Sequence, residues 1–214
     1  MSMNLYDSTL WSGKNIKLSI LVPTREMVHT HFAFSLSQLY KTTSEVMDTY
    51  LFFDSSSILL NQREKLIEEA KSINSDYVLW LDSDMVFPST TALRLLNHNK
   101  DIVGCNYLKR TKPLKPVAYR NIGDWDSYLP LTIHDELVEV EGVGMGCILM
   151  KTEIFKKIQK PYFEFTYNEQ SDDWLGEDFN LLIKLREKGF NVYIDTLLST
   201  ELKHIGMYAY GTNK

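Results

Sequence analysis

The feature that most constrains this chain is an alternation of short apolar runs with helical repeats over its first eighty residues. Residues 16–22 form a strand-like run broken by Pro23, and residues 27–40 repeat apolar side chains (Phe32, Leu36, Leu39, Tyr40) at helical spacing. Residues 46–53 read as extended and end in Asp54 and three serines. Residues 61–73 then place Leu66, Ile67, Ala70 and Ile73 on one helical face, leading to an apolar strand over 77–81. Parallel neighbours need crossovers of this kind. The pattern therefore predicts an α/β fold with a mostly parallel, helix-covered sheet, which takes ligands at the carboxyl ends of its strands. With 214 residues, 44% hydrophobic and 24% charged, the chain suits one domain with one core.

Beyond Asp84 the alternation weakens. Pro88 and Ser89 start a short helix through Leu96, and 101–107 returns as a strand. Residues 109–135, rich in Pro, Lys, Arg and aromatics, read as a functional loop region with a short strand near 117–119. Two strands follow at 137–141 and 146–150. Thr152 is expected to cap a helix to Gln159, a second helix runs over 176–188 to Gly189, and 192–194 and 197–204 read as extended. Residues 1–15 and 207–214 are expected to be peripheral tails.

A net charge of -5 gives no global field for nucleic acid or anionic membrane, so any such contact rests on a local patch. No apolar run approaches the ~20 residues of a membrane span, and the first thirteen residues lack a signal-peptide core, so the expectation is a soluble cytoplasmic protein. Cys105 and Cys147 sit in apolar contexts without metal-ligand spacing and read as buried, reduced thiols. Oligomeric state is left open.

The sharpest local feature is the 79–85 segment, an apolar strand ending in Asp82-Ser83-Asp84. If the backbone stays extended, the two carboxylates point the same way with Cα atoms about 6 to 7 Å apart, close enough to share Mg²⁺ or Mn²⁺. Asp-rich turns that merely close a strand give the same pattern. Glu177 and Asp178 open a predicted helix, where acids are favoured by free N–H groups. Asp178, ionised at neutral pH, is equally placed to serve as a general base, with Trp174 as a stacking wall. His204 gains a role only if it joins Asp82 and Asp84 as a nitrogen ligand, tilting the preference to Mn²⁺. Arg25 directly follows the first strand, and Asn61 and Arg63 open a helix suited to anions. Lys109, Arg110, Lys112, Lys115 and Arg120 concentrate positive charge near the expected mouth of the site, where phosphate of a donor or acceptor can be met. The glycines of 142–146 lie outside a strand-to-helix turn, so they read as a bend or a close backbone approach, not a dinucleotide fingerprint.

Taken in order, residues 20–25, 61–63, 81–84, 142–146, 176–178 and 204–206 resemble the GT-A-fold glycosyltransferases, especially small family-2-like bacterial and phage-encoded members. The resemblance spans residues 16–206. It implies a GT-A fold, a mostly parallel central sheet flanked by helices with a small antiparallel addition, in which Asp82, Asp84 and His204 hold Mn²⁺ (or Mg²⁺) on the diphosphate of a nucleotide-sugar. It further implies that Pro23, Thr24, Arg25, Asp54, Asn61, Arg63, Ser83 and Gly144 line the donor pocket. Asp178 would be the base of an inverting transfer, Glu177 its support, and Trp174 and Arg110 would face the acceptor. That acceptor is a glycan, a small molecule or, less favoured, a modified nucleic-acid base. Two other readings compete: a haloacid-dehalogenase-like phosphatase with Asp82 as nucleophile, and an inactive nucleotide-sugar-binding module.

Overall fold

The computed structural model of the chain describes residues 15–132, 135–169, 172–206 and 209–210. Its first half follows the alternation seen in the sequence: β1 (Lys17–Pro23), α1 (Thr30–Ser44), β2 (Asp48–Asp54), α2 (Leu59–Ser72), β3 (Tyr77–Leu81), β4 (Met85–Val86) and α3 (Thr91–Asn97). Next come β5 (Ile102–Gly104), β6 (Ala118–Tyr119), β7 (Leu137–Val140), β8 (Gly142–Val143), β9 (Cys147–Lys151) and a 3₁₀ turn (Thr152–Lys156). The chain continues through β10 (Thr166–Asn168), β11 (Asp173–Leu175), α4 (Glu177–Arg186), β12 (Val192–Asp195), α5 (Thr196–Ser199), β13 (Lys203–Ile205) and β14 (Ala209–Tyr210).

These elements build a mixed α/β fold on a seven-stranded sheet of order β2-β1-β3-β9-β5-β12-β7. The strands β2, β1, β3, β5 and β12 run one way, while β9 and β7 oppose them. β1 and β3 are buried on both faces, Val78 to Leu81 being wholly inaccessible, and the one polar residue inside this layer of β1, Ser19, is paired with the Ser75 hydroxyl. Edge strand β2 instead alternates exposed and half-buried positions. The antiparallel element is not a peripheral addition: β9 lies mid-sheet, paired with both β3 and β5. Its place is set by pairing on both sides, Leu81 opposite Cys147 and Gly104 opposite Ile148.

Four local expectations are corrected. Helix α1 starts at Thr30, after an exposed 25–29 stretch, with His29 at its N-cap. Thr152 caps nothing: its Oγ1 is buried without a hydrogen-bond partner, and the turn after it is 3₁₀. The expected strand over 101–107 pairs only at Ile102–Gly104. The expected extended stretch 197–204 begins as α5, because the Asp195 carboxylate accepts from the Leu198 N–H at 2.7 Å and nucleates a turn. Of the expected tails, residues 1–14, 207–208 and 211–214 lie outside the described residues, while Ala209–Tyr210 pairs with β13. The β10–β11 hairpin was not anticipated, since its sequence is polar and acidic. Cys105 and Cys147 are buried and free, on neighbouring chain segments joined by a 3.0 Å backbone bond. Among the described residues no helix is long and apolar enough to cross a membrane.

The irregular region after β5 is organised by one amide. Asn106 donates to the Leu129 carbonyl (2.7 Å), accepts from the N–H groups of Val117 and Ala118 (both 3.1 Å), and is itself bonded through its N–H to Ser199 Oγ (2.8 Å). All four bonds are buried, so losing the side chain strands the Ala118 N–H and the Leu129 carbonyl away from water, while the Val117 N–H keeps the Tyr107 carbonyl at 3.0 Å. Asn106→Ala is expected to cost about 3 kcal/mol or more, read as a lower urea midpoint; a change below about 1 kcal/mol would remove Asn106 from this role.

Candidate functional site

Parallel neighbours bring the ends of β1, β2 and β3 to one edge, and because α2 runs back from β2, its first turns lie at that edge too. Antiparallel β9 starts there: Leu81 pairs with Cys147, and the Asp82 N–H donates to the Gly146 carbonyl at 3.1 Å. The candidate site is built on this edge.

The two acids after β3 are not arranged by strand pleating. The chain turns directly after Leu81, the Met85 N–H donating to the Asp82 carbonyl at 3.1 Å with Ser83 at the half-buried tip, so the carboxylates have separate partners. Asp82 Oδ1 lies 3.3 Å from Arg63 Nη2. Arg63 is not the open pocket-lining residue expected: its side chain is 3% exposed, its Nε lies 3.4 Å from Glu177 Oε1, and its guanidinium sits 5.5 Å from the Trp80 ring centre and 5.9 Å from that of Phe163. Neither its Nη1 nor its Nε makes a hydrogen bond, so Glu177 is met as an ion pair only. A guanidinium suits this position because separate nitrogens reach two carboxylates while the plane covers aromatic rings.

Asp84 and His204 do meet. Strand β13 pairs with β4, His204 opposite Met85, and the Ile205 N–H donates to the Asp84 carbonyl at 2.7 Å. This sets His204 Nε2 3.3 Å from Asp84 Oδ1, while its Nδ1 lies 3.0 Å from the Leu108 carbonyl. The other carboxylate oxygen, Oδ2, is 2.6 Å from Arg110 Nη1. Burial works to raise the Asp84 carboxyl, but the hydrogen bond and charge of His204 and the charge of Arg110 outweigh it and hold the group below its ordinary range.

A cleft of about 600 Å³ opens here, its wall including Asp178, Phe179, His204, Gly144, Lys109 and Arg110. Asp178 opens α4 after the N-cap Gly176, and its Oδ1 accepts from the Phe179 N–H at 2.8 Å. Contrary to the expectation of a fully ionised base, burial, then the charge of Glu177 and more weakly that of Asp82, push its carboxyl up to about 7 against the pull of Arg63. Tyr107 completes the floor: it is buried, accepts from the Gly146 N–H at 2.9 Å, and meets His204 edge-on at 5.2 Å. A Cβ on Gly146 would lie 2.5 Å from the Tyr107 hydroxyl, and one on Gly144 2.7 Å. The glycine repeat thus admits a phenol, where the sequence suggested a bend or a close approach to ligand. The alternate glycines were its visible trace.

The other predicted residues scatter. Pro23 and Thr24 are buried at the end of β1, Thr24 donating its N–H to the Asp54 carbonyl at 2.9 Å and receiving the Gln62 amide on its own carbonyl at 2.7 Å. Gln62, which sequence reasoning did not single out, also donates to the Ser56 carbonyl and so braces the two loops. Asp54 is held by the Ser56 N–H at 2.9 Å and lies 3.4 Å from Lys65. Arg25 and Asn61 are exposed. Trp174, 62% exposed on β11, packs against Tyr167. Asn180 was also missed; its amide donates to the carbonyls of Glu164, Leu175 and Gly176 and fastens this hairpin to α4. The five basic residues do not form one patch: Lys109 and Arg110 line the cleft, whereas Lys115 pairs with Asp126 at 3.2 Å.

Asp84 and His204 are two groups of the kinds that ligate divalent cations. One carboxylate oxygen and one imidazole nitrogen are adjacent, and such ions commonly complete their shell with substrate phosphates and water. As arranged, no group of three or more His, Cys, Asp or Glu side chains among the described residues is set to hold an ion, since Asp82 is engaged by Arg63.

No protein-family model matches the sequence, and no curated protein is similar to it. Among solved structures, the chain is similar to A197 from STIV, with a TM-score of 0.60 and 19% identity over 93% of this chain and 95% of that one, which shows a shared fold. A glycosyltransferase involved in the glycosylation of the major capsid of PBCV-1 matches with a TM-score of 0.37 and 16% identity, over 68% of this chain and 69% of that one.

Two predictions follow from these contacts. Arg63→Ala leaves Asp82, Glu177 and Asp178 without their shared cation and is expected to cost about 3–5 kcal/mol, whereas Asp84→Ala, which breaks partly exposed pairs, should cost about 1 kcal/mol or less. Equal losses in urea titrations would contradict this division. For Asp178 the sign follows from its raised value. Below the ordinary carboxylate pKa both folded and unfolded chains hold the proton. Between that value and about 7 only the folded chain does, so the group erodes stability progressively as pH rises through this window. The melting temperature of Asp178→Asn should therefore gain on that of the unsubstituted protein between pH 4 and pH 8, and a constant difference would refute the raised value.

Proposed function

We propose that this protein is a glycosyltransferase, moving a sugar from a nucleotide-diphosphate donor to an acceptor hydroxyl in the cleft beside β3. The observation that carries the reading is that His204, in contact with Asp84, and Asp178 line one cleft at the carboxyl edge of the sheet. Asp178, poised near neutrality, suits a general base better than an ordinary carboxylate would. In an inverting transfer the acceptor oxygen bonds to the anomeric carbon as the bond to the diphosphate oxygen breaks, and a carboxylate oxygen of Asp178 takes the hydroxyl proton. Asp84 and His204, with Asp82 if it leaves Arg63, would hold Mn²⁺ or Mg²⁺, which offsets the charge developing on the departing diphosphate. Lys109 and Arg110 add positive charge at the mouth for the same phosphates. Glu177, bound to Arg63, keeps the start of α4 in place.

The test is a thermal-shift panel of UDP-, GDP-, CDP- and ADP-sugars with and without Mn²⁺, followed by assay of nucleotide release and sugar transfer. One donor should raise the melting temperature by about 5 °C at a hundredfold excess over its Kd. Asp84→Ala should abolish the cation-dependent part of that shift. Asp178→Asn should keep the shift and lose transfer by roughly 10² or more. A panel with no specific shift would overturn the proposal, and release of phosphate from p-nitrophenyl phosphate would favour the phosphatase reading instead.

A further inference from the structure

Both acids after β3 are already neutralised by an arginine, yet the two arginines differ in kind. Arg63 is sealed against Trp80 and Phe163 and cannot swing into solvent without opening the core. Arg110 stands on the 109–115 loop, whose base is pinned by the Leu108–Pro116 bridge and the Lys109 to Lys115 backbone bond, and its side chain is 50% exposed. With Arg110 on Oδ2 and His204 on Oδ1, Asp84 has each carboxylate oxygen occupied. A cation arriving at Asp84 must compete with a guanidinium for the same oxygen, and its charge would repel that guanidinium at contact distance.

We propose that Arg110 is an exchangeable latch on Asp84. It closes the carboxylate when no divalent cation is bound, swings off when one is taken, and then presents its freed guanidinium to the phosphates of the ligand in the same cleft. The inference rests on the glycosyltransferase reading for the identity of that ligand, but not for the exchange itself. Only a side-chain rotation of an exposed residue is required. Pairing across a half-exposed contact is weak enough to be displaced, and a planar fork is well matched to phosphate oxygens once released. The two ligands then become linked: the cation frees the group that helps bind the anion, so each favours the other beyond their direct contact, by the same factor in both directions.

The latch predicts effects of opposite sign from one substitution, which a merely structural residue would not produce. In Arg110→Gln, free Mn²⁺ counted by electron paramagnetic resonance without nucleotide should bind about fivefold tighter than in the unsubstituted protein. Calorimetric titration of UDP, GDP, CDP and ADP in saturating Mn²⁺ should instead show weaker binding, by about fivefold to tenfold. Lys109→Gln, which removes a cleft cation not bound to Asp84, should weaken the nucleotide and leave Mn²⁺ affinity unchanged. Equal Mn²⁺ affinity in Arg110→Gln and the unsubstituted protein overturns the latch while sparing the proposed function. Failure of Mn²⁺ to bind either protein, alone or with any nucleotide, overturns the latch and the cation-dependent transferase together. Weaker binding of both ligands in Arg110→Gln would make Arg110 an ordinary supporting residue and likewise overturn the latch.

Discussion

The carboxyl edge of the sheet is held together by a guanidinium that water does not reach. Arg63 enters from α2, Asp82 from the end of β3 and Glu177 from the first turn of α4, so three elements distant in sequence are joined at one charge. Removing an ionised side chain from water is expensive, and the arrangement offsets that cost only because two carboxylates and two aromatic faces surround it. The consequence reaches Asp178, the next residue along α4. Its carboxyl is raised by burial and by Glu177 but pulled back by Arg63, and the balance leaves it near neutrality. The base and the structural ion pair are therefore not independent features: the contact that fixes the start of α4 also tunes the acid beside it.

A second constraint is topological. His204 lies far along the chain from Asp84, and nothing in their separation specifies a contact. They meet because the turn after β3 runs straight into β4, and β13 returns antiparallel against it. The Leu108 carbonyl then bonds Nδ1 and leaves Nε2 toward the carboxylate, so the ring is oriented by backbone before any ligand is present. Tyr107 reinforces this from below, and two glycines give it room.

The parts of this architecture legible in the sequence are those governed by local periodicity. Strand β3 was read at its true limits because a strand buried on both faces is apolar at every position, and α1 and α2 were recognised from their apolar faces. Asp84, Asp178 and His204 were singled out, and the structure sets two of them in contact and the third across the same cleft. What could not be read depends on distant partners. That Arg63 would be sealed while Asn61 faces solvent follows from which side of α2 meets β3 and α4. The reversal of β9 inside the sheet depends on pairing that strand propensity does not encode, and the 108–132 region owes its shape to Asn106, one unremarkable amide at the end of a strand.

The contrast between Asp82 and Asp84 shows how one dipeptide spacing yields two different chemistries. Both are acids after the same strand, and an extended backbone would have made them equivalent. The turn between them breaks that symmetry: Asp82 lies against the buried guanidinium of Arg63, and Asp84 against an imidazole and a half-exposed guanidinium. Parting Asp82 from Arg63 leaves a guanidinium that water does not reach short of a partner, whereas Arg110, half in solvent, can leave Asp84 and stay hydrated. A cation that enters this site therefore takes Asp84 first. Its capture of Asp82 would require Arg63 to rely on Glu177 alone, a reorganisation felt at α4 and at the carboxyl of Asp178.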